Sequence, residues 1–390
     1  MKSYLSYLIK EQVNRAQVLK SLIAYPLEPV ELYALAERCT SHIDHLIDDL
    51  NGLFGLLDED ADDETMRFLH RRFKSITRRI EWIEQYGISV LKLKCKDYNY
   101  LNKLITRIHH ESKIPINIAT VASFSNRYFF FASLTNVIFI PAAEHKFILH
   151  LPDLYHELGH YVSSKKEEIQ LKNTRIAYQN CVTNITGHFK KIIEDRMYGS
   201  GPASLLNTTF AIHAQWKESW LEELFSDAFA AFLLGPAYAW SHIHLVTKTQ
   251  DDVYYFDNFK FQEHPSDEAR FRFICNCLGL VGYDEEVKSL KAKWNTLIFV
   301  KGNRGTESYY EAFPDTLFDI IATQIQEGLE ADGFLVIGKT LSEKMPESSI
   351  ANILNNAWNV FWKAPNDFFK HEEAKLQELG APIETHVNAD

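Results

Sequence analysis

The sequence predicts a mostly α-helical protein with one small β-sheet (an α+β chain), and three observations carry that expectation. Apolar residues recur at helical spacing through residues 1–115 and again through 281–390. Between them, from Pro115 on, short β-branched and aromatic runs replace that pattern. Directly after those runs stands His156-Glu-Leu-Gly-His160, a pentapeptide whose spacing acquires meaning on a helix.

The N-terminal region reads as helices. Leu5, Leu8, Ile9 and Val13 share a face, as do Ile43, Leu46, Ile47 and Leu50, and later Phe73, Ile76, Ile80 and Ile83. Pro26 and Pro29 separate the first pair. The acidic run 58–64 lacks the glycine and terminal glutamate spacing of a calcium loop, so it reads as a solvated linker.

Residues 116–122, 127–132 and 136–140 then read as strands of a small sheet. The last run ends at Pro141, and proline is better tolerated at a sheet edge than in its middle. Asn136, Val137, Ile138 and Phe139 are therefore expected to form an edge strand that pairs with an extended peptide through free backbone groups.

On a helix, His156 and His160 lie at i and i+4 and project from one face, about 5–6 Å apart at Cβ. Two imidazoles so placed suit one metal ion, and zinc takes such nitrogens at about 2.0–2.1 Å in a tetrahedron. Glu157 lies on the adjoining part of the turn, within reach of a metal-bound water rather than the metal. Pro152 and Asp153 suit the first turn of that helix. Asp153, three residues before His156, is also a candidate to bind the metal or orient a ligand. Ser163 and Lys166 stand where a three-histidine motif requires Gly and His, which excludes that arrangement.

The third ligand is expected from a later helix. Glu223 and Asp227 are four residues apart and share a face. Glu223 can complete a site of two histidines and one glutamate, with Glu222 as the competing ligand. Asp227, set among Phe225, Phe229 and Phe232, needs a partner there. The free ring N–H of a ligating histidine is one. Further on, His264 precedes Pro265 at a helix start, and Arg270 follows about a turn into that helix.

In this order the motifs resemble the gluzincin metallopeptidases, specifically the CaaX prenyl endopeptidase and HtpX type. The resemblance rests on 136–141, on His156 through His160, on Glu223-Leu-Phe-Ser-Asp-Ala-Phe-Ala230, and on His264-Pro265 with Arg270. It implies a zincin-like catalytic core in which His156, His160 and Glu223 bind zinc and Glu157 is the base. Asp227 would then support a ligand, and His264 and Arg270 would stabilise substrate or transition state. Tyr161 is a further candidate for that last role. The chain departs from that family in lacking its membrane spans and in carrying extra helical sequence between His160 and Glu223.

Composition narrows the partners. A formal net charge of −11 disfavours nucleic acid and anionic membrane surfaces. Five scattered cysteines form no disulfide framework and suggest the reduced thiols of a cytoplasmic protein. No signal peptide and no membrane span is expected. The expected organisation is a helical region 1–115, a metallopeptidase core 116–280 and a helical region 281–390. The function expected is hydrolysis of a protein or peptide substrate, with access restricted and a regulatory partner engaged through the N-terminal helices. The alternative is a helical interaction or regulatory protein whose zinc is structural or whose site is inactive.

Overall fold

The computed structural model describes residues 2–23, 30–57, 63–92, 96–125, 128–141, 144–199, 203–248, 252–257, 260–301, 304–365 and 368–381. Pro26, Pro29, Cys95 and most of the acidic run 58–64 lie outside them. The described residues are mostly helical with one three-stranded sheet, and they divide into two compact units.

The first unit comprises Met1–Lys103 and Ile118–Pro141. Its helices α1 (Lys2–Ser21), α2 (Val30–Gly55) and α3 (Asp63–Ile83) pack against one another. In α2 the buried residues Leu32, Ala36, Cys39, Ile43, Leu46 and Leu50 alternate spacings of four and three. Leu69, Phe73, Ile76, Ile80 and Ile83 of α3 repeat that alternation. Such a period keeps one seam facing its neighbours along the whole helix, as in a coiled coil. The short α4 (Ser89–Lys92) and the first part of α5 (Lys96–Glu111) complete the helices of this unit.

Strands β1 (Thr120–Ser125), β2 (Phe130–Ala132) and β3 (Val137–Pro141) form the sheet in the order β1-β3-β2. This overturns the edge position expected for Asn136, Val137, Ile138 and Phe139. Val137, Ile138 and Phe139 pair in parallel with Thr120, Val121 and Ala122, and antiparallel with Ala132, Phe131 and Phe130. With a neighbour on each side, β3 has no free ladder to offer a peptide. The sign of a central strand was its unbroken apolar run: Val137 through Ile140 are wholly buried, as a strand covered on both faces requires. Pro141 occupies the strand's last position, which proline tolerates. Asn136 precedes β3 with φ of 54°, a left-handed turn conformation open to asparagine.

The second unit comprises Leu104–Asn117 and Ala142–Asp390. It holds α6 (Asp153–Ser164), α7 (Lys172–Tyr198), α8 (Ala203–Gln215), α9 (Leu221–Leu234) and α10 (Pro236–Lys248). After a loop come α11 (Asp267–Leu280), α12 (Asp284–Lys301), α13 (Glu307–Ala312) and α14 (Asp315–Ala331). Helices α15 (Lys339–Ser342), α16 (Ile350–Lys363) and α17 (Phe368–Glu378) follow. The centre is α9, in which every residue except Glu222 is buried. A helix apolar all round must be covered on every side, and α6, α10, α11, α14 and α16 cover it.

That need explains why the expected boundaries 1–115, 116–280 and 281–390 differ from the compact units. The sheet groups with the N-terminal helices, and α14 and α16 of the C-terminal region pack on α9. Residues 332–338 form no strand; Leu335 N–H donates to Ser112 O and Ile337 N–H to Phe232 O. Cys39, Cys181, Cys275 and Cys277 are buried free thiols. Among the described residues no helix is long and apolar enough to cross a membrane.

Candidate metal centre

The site is made where α6 and α9 touch. A β-carbon on Gly159 would come within 2.6 Å of the Ser226 Cα, so glycine is what allows these two helices to approach this closely. His156 and His160 leave α6 one turn apart, and Glu223 meets them from the first turn of α9. The two Nε2 atoms are 3.1 Å apart. Glu223 Oε1 lies 3.2 Å from His160 Nε2, and Oε2 lies 3.5 Å from His156 Nε2.

Those distances test whether the residues fit a metal ion. Ligands at about 2.0–2.2 Å around tetrahedral zinc stand about 3.3–3.6 Å from one another, close to the three separations here. Glu223 is 7% exposed, and among the described residues its Oε2 receives no hydrogen bond of good geometry, the nearest nitrogen being His264 Nδ1 at 2.8 Å. A buried carboxylate oxygen left so is costly unless a cation meets it. His156, His160 and Glu223 are also the group that could hold a metal ion among the described residues. Asp153 is not in that set; it sits in the first turn of α6 and accepts a 3.1 Å hydrogen bond from Ser241 Oγ.

Each histidine has a carboxylate behind it. His156 Nδ1 is 3.0 Å from Asp227 Oδ1, which assigns the ring proton to Nδ1 and leaves the Nε2 lone pair for the metal. Glu222, the expected competitor, stands instead 3.8 Å from His160 Nδ1 with its side chain 45% exposed. Asp227 is wholly buried. Arg270 holds it from both sides, with Nε 2.9 Å from Oδ2 and Nη2 2.6 Å from Oδ1. Burial alone would raise the Asp227 pKa; the Arg270 guanidinium outweighs it and keeps the carboxyl well below the usual range.

This geometry corrects the role expected of Arg270. Its side chain is 13% exposed and forked onto Asp227, so it stands behind His156 rather than at an open face. Tyr161 is also engaged elsewhere, since it is buried and donates a 2.6 Å hydrogen bond to Asn117 O. The tyrosine at the site is Tyr238, which the sequence reading passed over. Its hydroxyl donates to Asp227 Oδ1 at 2.5 Å and is 2.9 Å from His156 Nδ1. The available signal was a phenol inside a wholly apolar stretch, which needs a polar partner.

Two residues face the open side. Glu157 is buried at 6% exposure, and among the described residues nothing hydrogen-bonds its carboxylate. Burial raises its pKa, opposed by His160 and His156. His264 is the exposed member, with 57% of its side chain accessible, and its Nδ1 lies 2.8 Å from Glu223 Oε2 outside hydrogen-bonding geometry. The carboxylates of Glu157, Glu222, Glu223 and Asp227 gather around the two histidines, while Arg270 is paired with Asp227 and Lys166 acts on Glu222, which leaves an excess of negative charge that suits a divalent ion. No family model, no characterised protein and no solved structure matches the chain.

Proposed function

We propose that the second unit is a zinc-dependent peptidase of the gluzincin type, with His156, His160 and Glu223 as ligands and Glu157 as base. The observation that carries this reading is the coincidence of two features. The two Nε2 atoms stand 3.1 Å apart and each meets a Glu223 oxygen, Oε1 at 3.2 Å from His160 and Oε2 at 3.5 Å from His156, near the ligand separations of a tetrahedral site. The buried Glu157 carboxylate adjoins His156. Zinc held there would lower the pKa of a coordinated water toward ~7 and polarise the scissile carbonyl.

The chain's own residues do the rest. Glu157 takes the proton of the attacking water and delivers it to the leaving amine as the C–N bond breaks. The water oxygen remains on the carbonyl carbon as the new carboxyl. His264, exposed at the mouth, supplies a donor to the oxyanion. Asp227 fixes the His156 tautomer, and Arg270 and Tyr238 fix Asp227. Buried unpaired thiols suit a reducing compartment, so the proposal places the enzyme in the cytoplasm.

A structural zinc site is the second reading, and His264 is the observation behind it. A structural site has four protein ligands, and His264 stands near enough to Glu223 to become the fourth. Replacing Glu157 separates the two. In Glu157→Gln, zinc content should stay at the wild-type level while cleavage of an unfolded protein such as reduced casein is lost. Zinc-loaded wild type that never cleaves such substrates would favour the structural site.

A further inference from the structure

Helix α3 of the first unit presents two opposite faces. Leu69, Phe73, Ile76, Ile80 and Ile83 are buried in the core of that unit. On the far side Arg67, Arg71, Lys74 and Arg78 follow one another at spacings of four, three and four, and all four are exposed. Such spacing sets them in one row along the helix. At 1.5 Å per residue the row is about 16 Å long. Residues 67–80 hold six Lys or Arg and no Asp or Glu, in a chain whose net charge is −11.

Other cations of this unit are paired. Arg15 Nη2 is 2.6 Å from Glu84 Oε2, Lys20 Nζ is 2.6 Å from Asp44 Oδ1, and Arg72 Nη2 is 3.3 Å from Asp49 Oδ2. Among the described residues the four cations of the row meet no carboxylate. Like charges three or four residues apart repel and weaken a helix, and an anion laid along the row relieves that repulsion. At its C-terminal end the row runs into a recess of about 280 Å³, lined by Arg78, Arg79, Trp82, Ser133 and Leu134. Two guanidinium groups at one recess suit a carboxylate, which each can bind through two parallel N–H groups. The Trp82 indole, 40% exposed, adds an apolar wall.

The row is also bounded. The acidic run 58–64 precedes it in sequence, and Glu81 and Glu84 follow it. A nucleic-acid duplex or a bilayer carries negative charge well beyond this length and would meet those carboxylates too. Exposed charges are screened beyond about 8 Å at physiological salt, so a short segment feels the row and little else. About five residues of extended chain match its length.

We infer that the outer face of α3 docks a short acidic segment of a partner protein. Its carboxylates lie along Arg67, Arg71, Lys74 and Arg78, and its end enters the recess beside Trp82. The surface belongs to the first unit, and binding there rests on neither zinc nor hydrolysis.

The test is fluorescence anisotropy of rhodamine-labelled hexaglutamate amide titrated with the full-length protein. Saturable binding is expected, weakening as salt is raised from about 0.05 to 0.5 M. Arg71→Glu/Arg78→Glu should weaken it about tenfold or more. Lys344→Glu/Lys363→Glu makes the same change in net charge at exposed positions of the second unit, and should bind as the wild type does. An acid at position 71 stands four residues after Arg67 and three before Lys74, so the first variant should melt no lower than the wild type. No saturation, or an equal loss in the two variants, would overturn the inference. A first variant that melts well below the wild type would overturn it as well, because its arginines would then serve the fold. Tighter binding of an oligouridylate of equal charge would overturn it in favour of nucleic acid. Binding only to vesicles of phosphatidylcholine and phosphatidylserine would overturn it in favour of a membrane surface.

Discussion

Tyr238 and Asp227 face each other across a helix break, joined by a 2.5 Å hydrogen bond from the phenol to Oδ1. The break is at Gly235, whose φ of 89° ends α9 and lets α10 start at Pro236. Asn355 of α16 ties the two ends, accepting from Ala237 N at 2.8 Å and donating to Leu234 O at 2.7 Å. The elbow thereby sets the group that sets His156. Removing the carboxylate with Asp227→Ala should lower zinc affinity by about 10–100-fold. Tyr238→Phe should lower it by about threefold to tenfold. Competition with a fluorescent zinc chelator measures both, and an unchanged affinity in Asp227→Ala would remove this residue from the centre.

Gly159→Ala puts a methyl group against the Ser226 backbone, where only 2.6 Å is available. Because Ser226 Cα cannot rotate away, α6 and α9 must separate, and overpacking of this kind costs about 1–3 kcal/mol. The variant is expected to melt lower and to hold zinc less tightly, since His156 and His160 are on one helix and Glu223 on the other. Melting measured with and without added zinc reads both effects.

Arg270→Gln leaves the wholly buried Asp227 without its compensating charge. Breaking such a pair from one side costs about 3–5 kcal/mol. A strong loss of stability in urea, present even in zinc-free protein, is therefore expected. If Arg270 acted on the substrate, the same change would lower turnover and leave the urea midpoint unmoved.

The helix carrying His156 and His160 was the most legible part of the chain, because two histidines four residues apart depend only on helix geometry. Glu223 and Asp227 were legible for the same reason, and a carboxylate among three phenylalanines announced a buried partner. What that partner set included was not legible. Arg270 and Tyr238 reach Asp227 through distances that local spacing does not encode. The place of β3 was misread because Pro141 was weighed above the unbroken apolar run before it. The grouping of α14 and α16 with α6 and α9 follows from α9 being apolar on all sides, and only the packing shows which helices cover it.

His244 of α10 supplies a pH dependence away from the metal. Its pKa is pushed down to about 4 by burial first, then by Lys248 and by His150, whose ring centroid is 5.3 Å away. Lys248 Nζ is itself 3.0 Å from His150 Nε2, and Glu144 bonds the other ring nitrogen. The unfolded chain binds this proton near pH 6.5, well before the folded one does. The stability it contributes is full above that pH and falls as pH drops toward about 4. In His244→Gln the loss of stability between pH 7 and 5 should be smaller by ~1 kcal/mol, with solvent screening allowed for. Urea titrations at the two pH values provide the comparison, and equal slopes would contradict it.

The central claim is a zinc site of two histidines and Glu223, and elemental analysis tests it most directly. Wild type and Glu223→Ala would be purified side by side, supplied with zinc and freed of excess. About one zinc per chain in the wild type, lost or much weakened in the variant, is the expected result. A wild type that holds no zinc after being supplied with it, or a variant that keeps its full complement, would contradict the site described here.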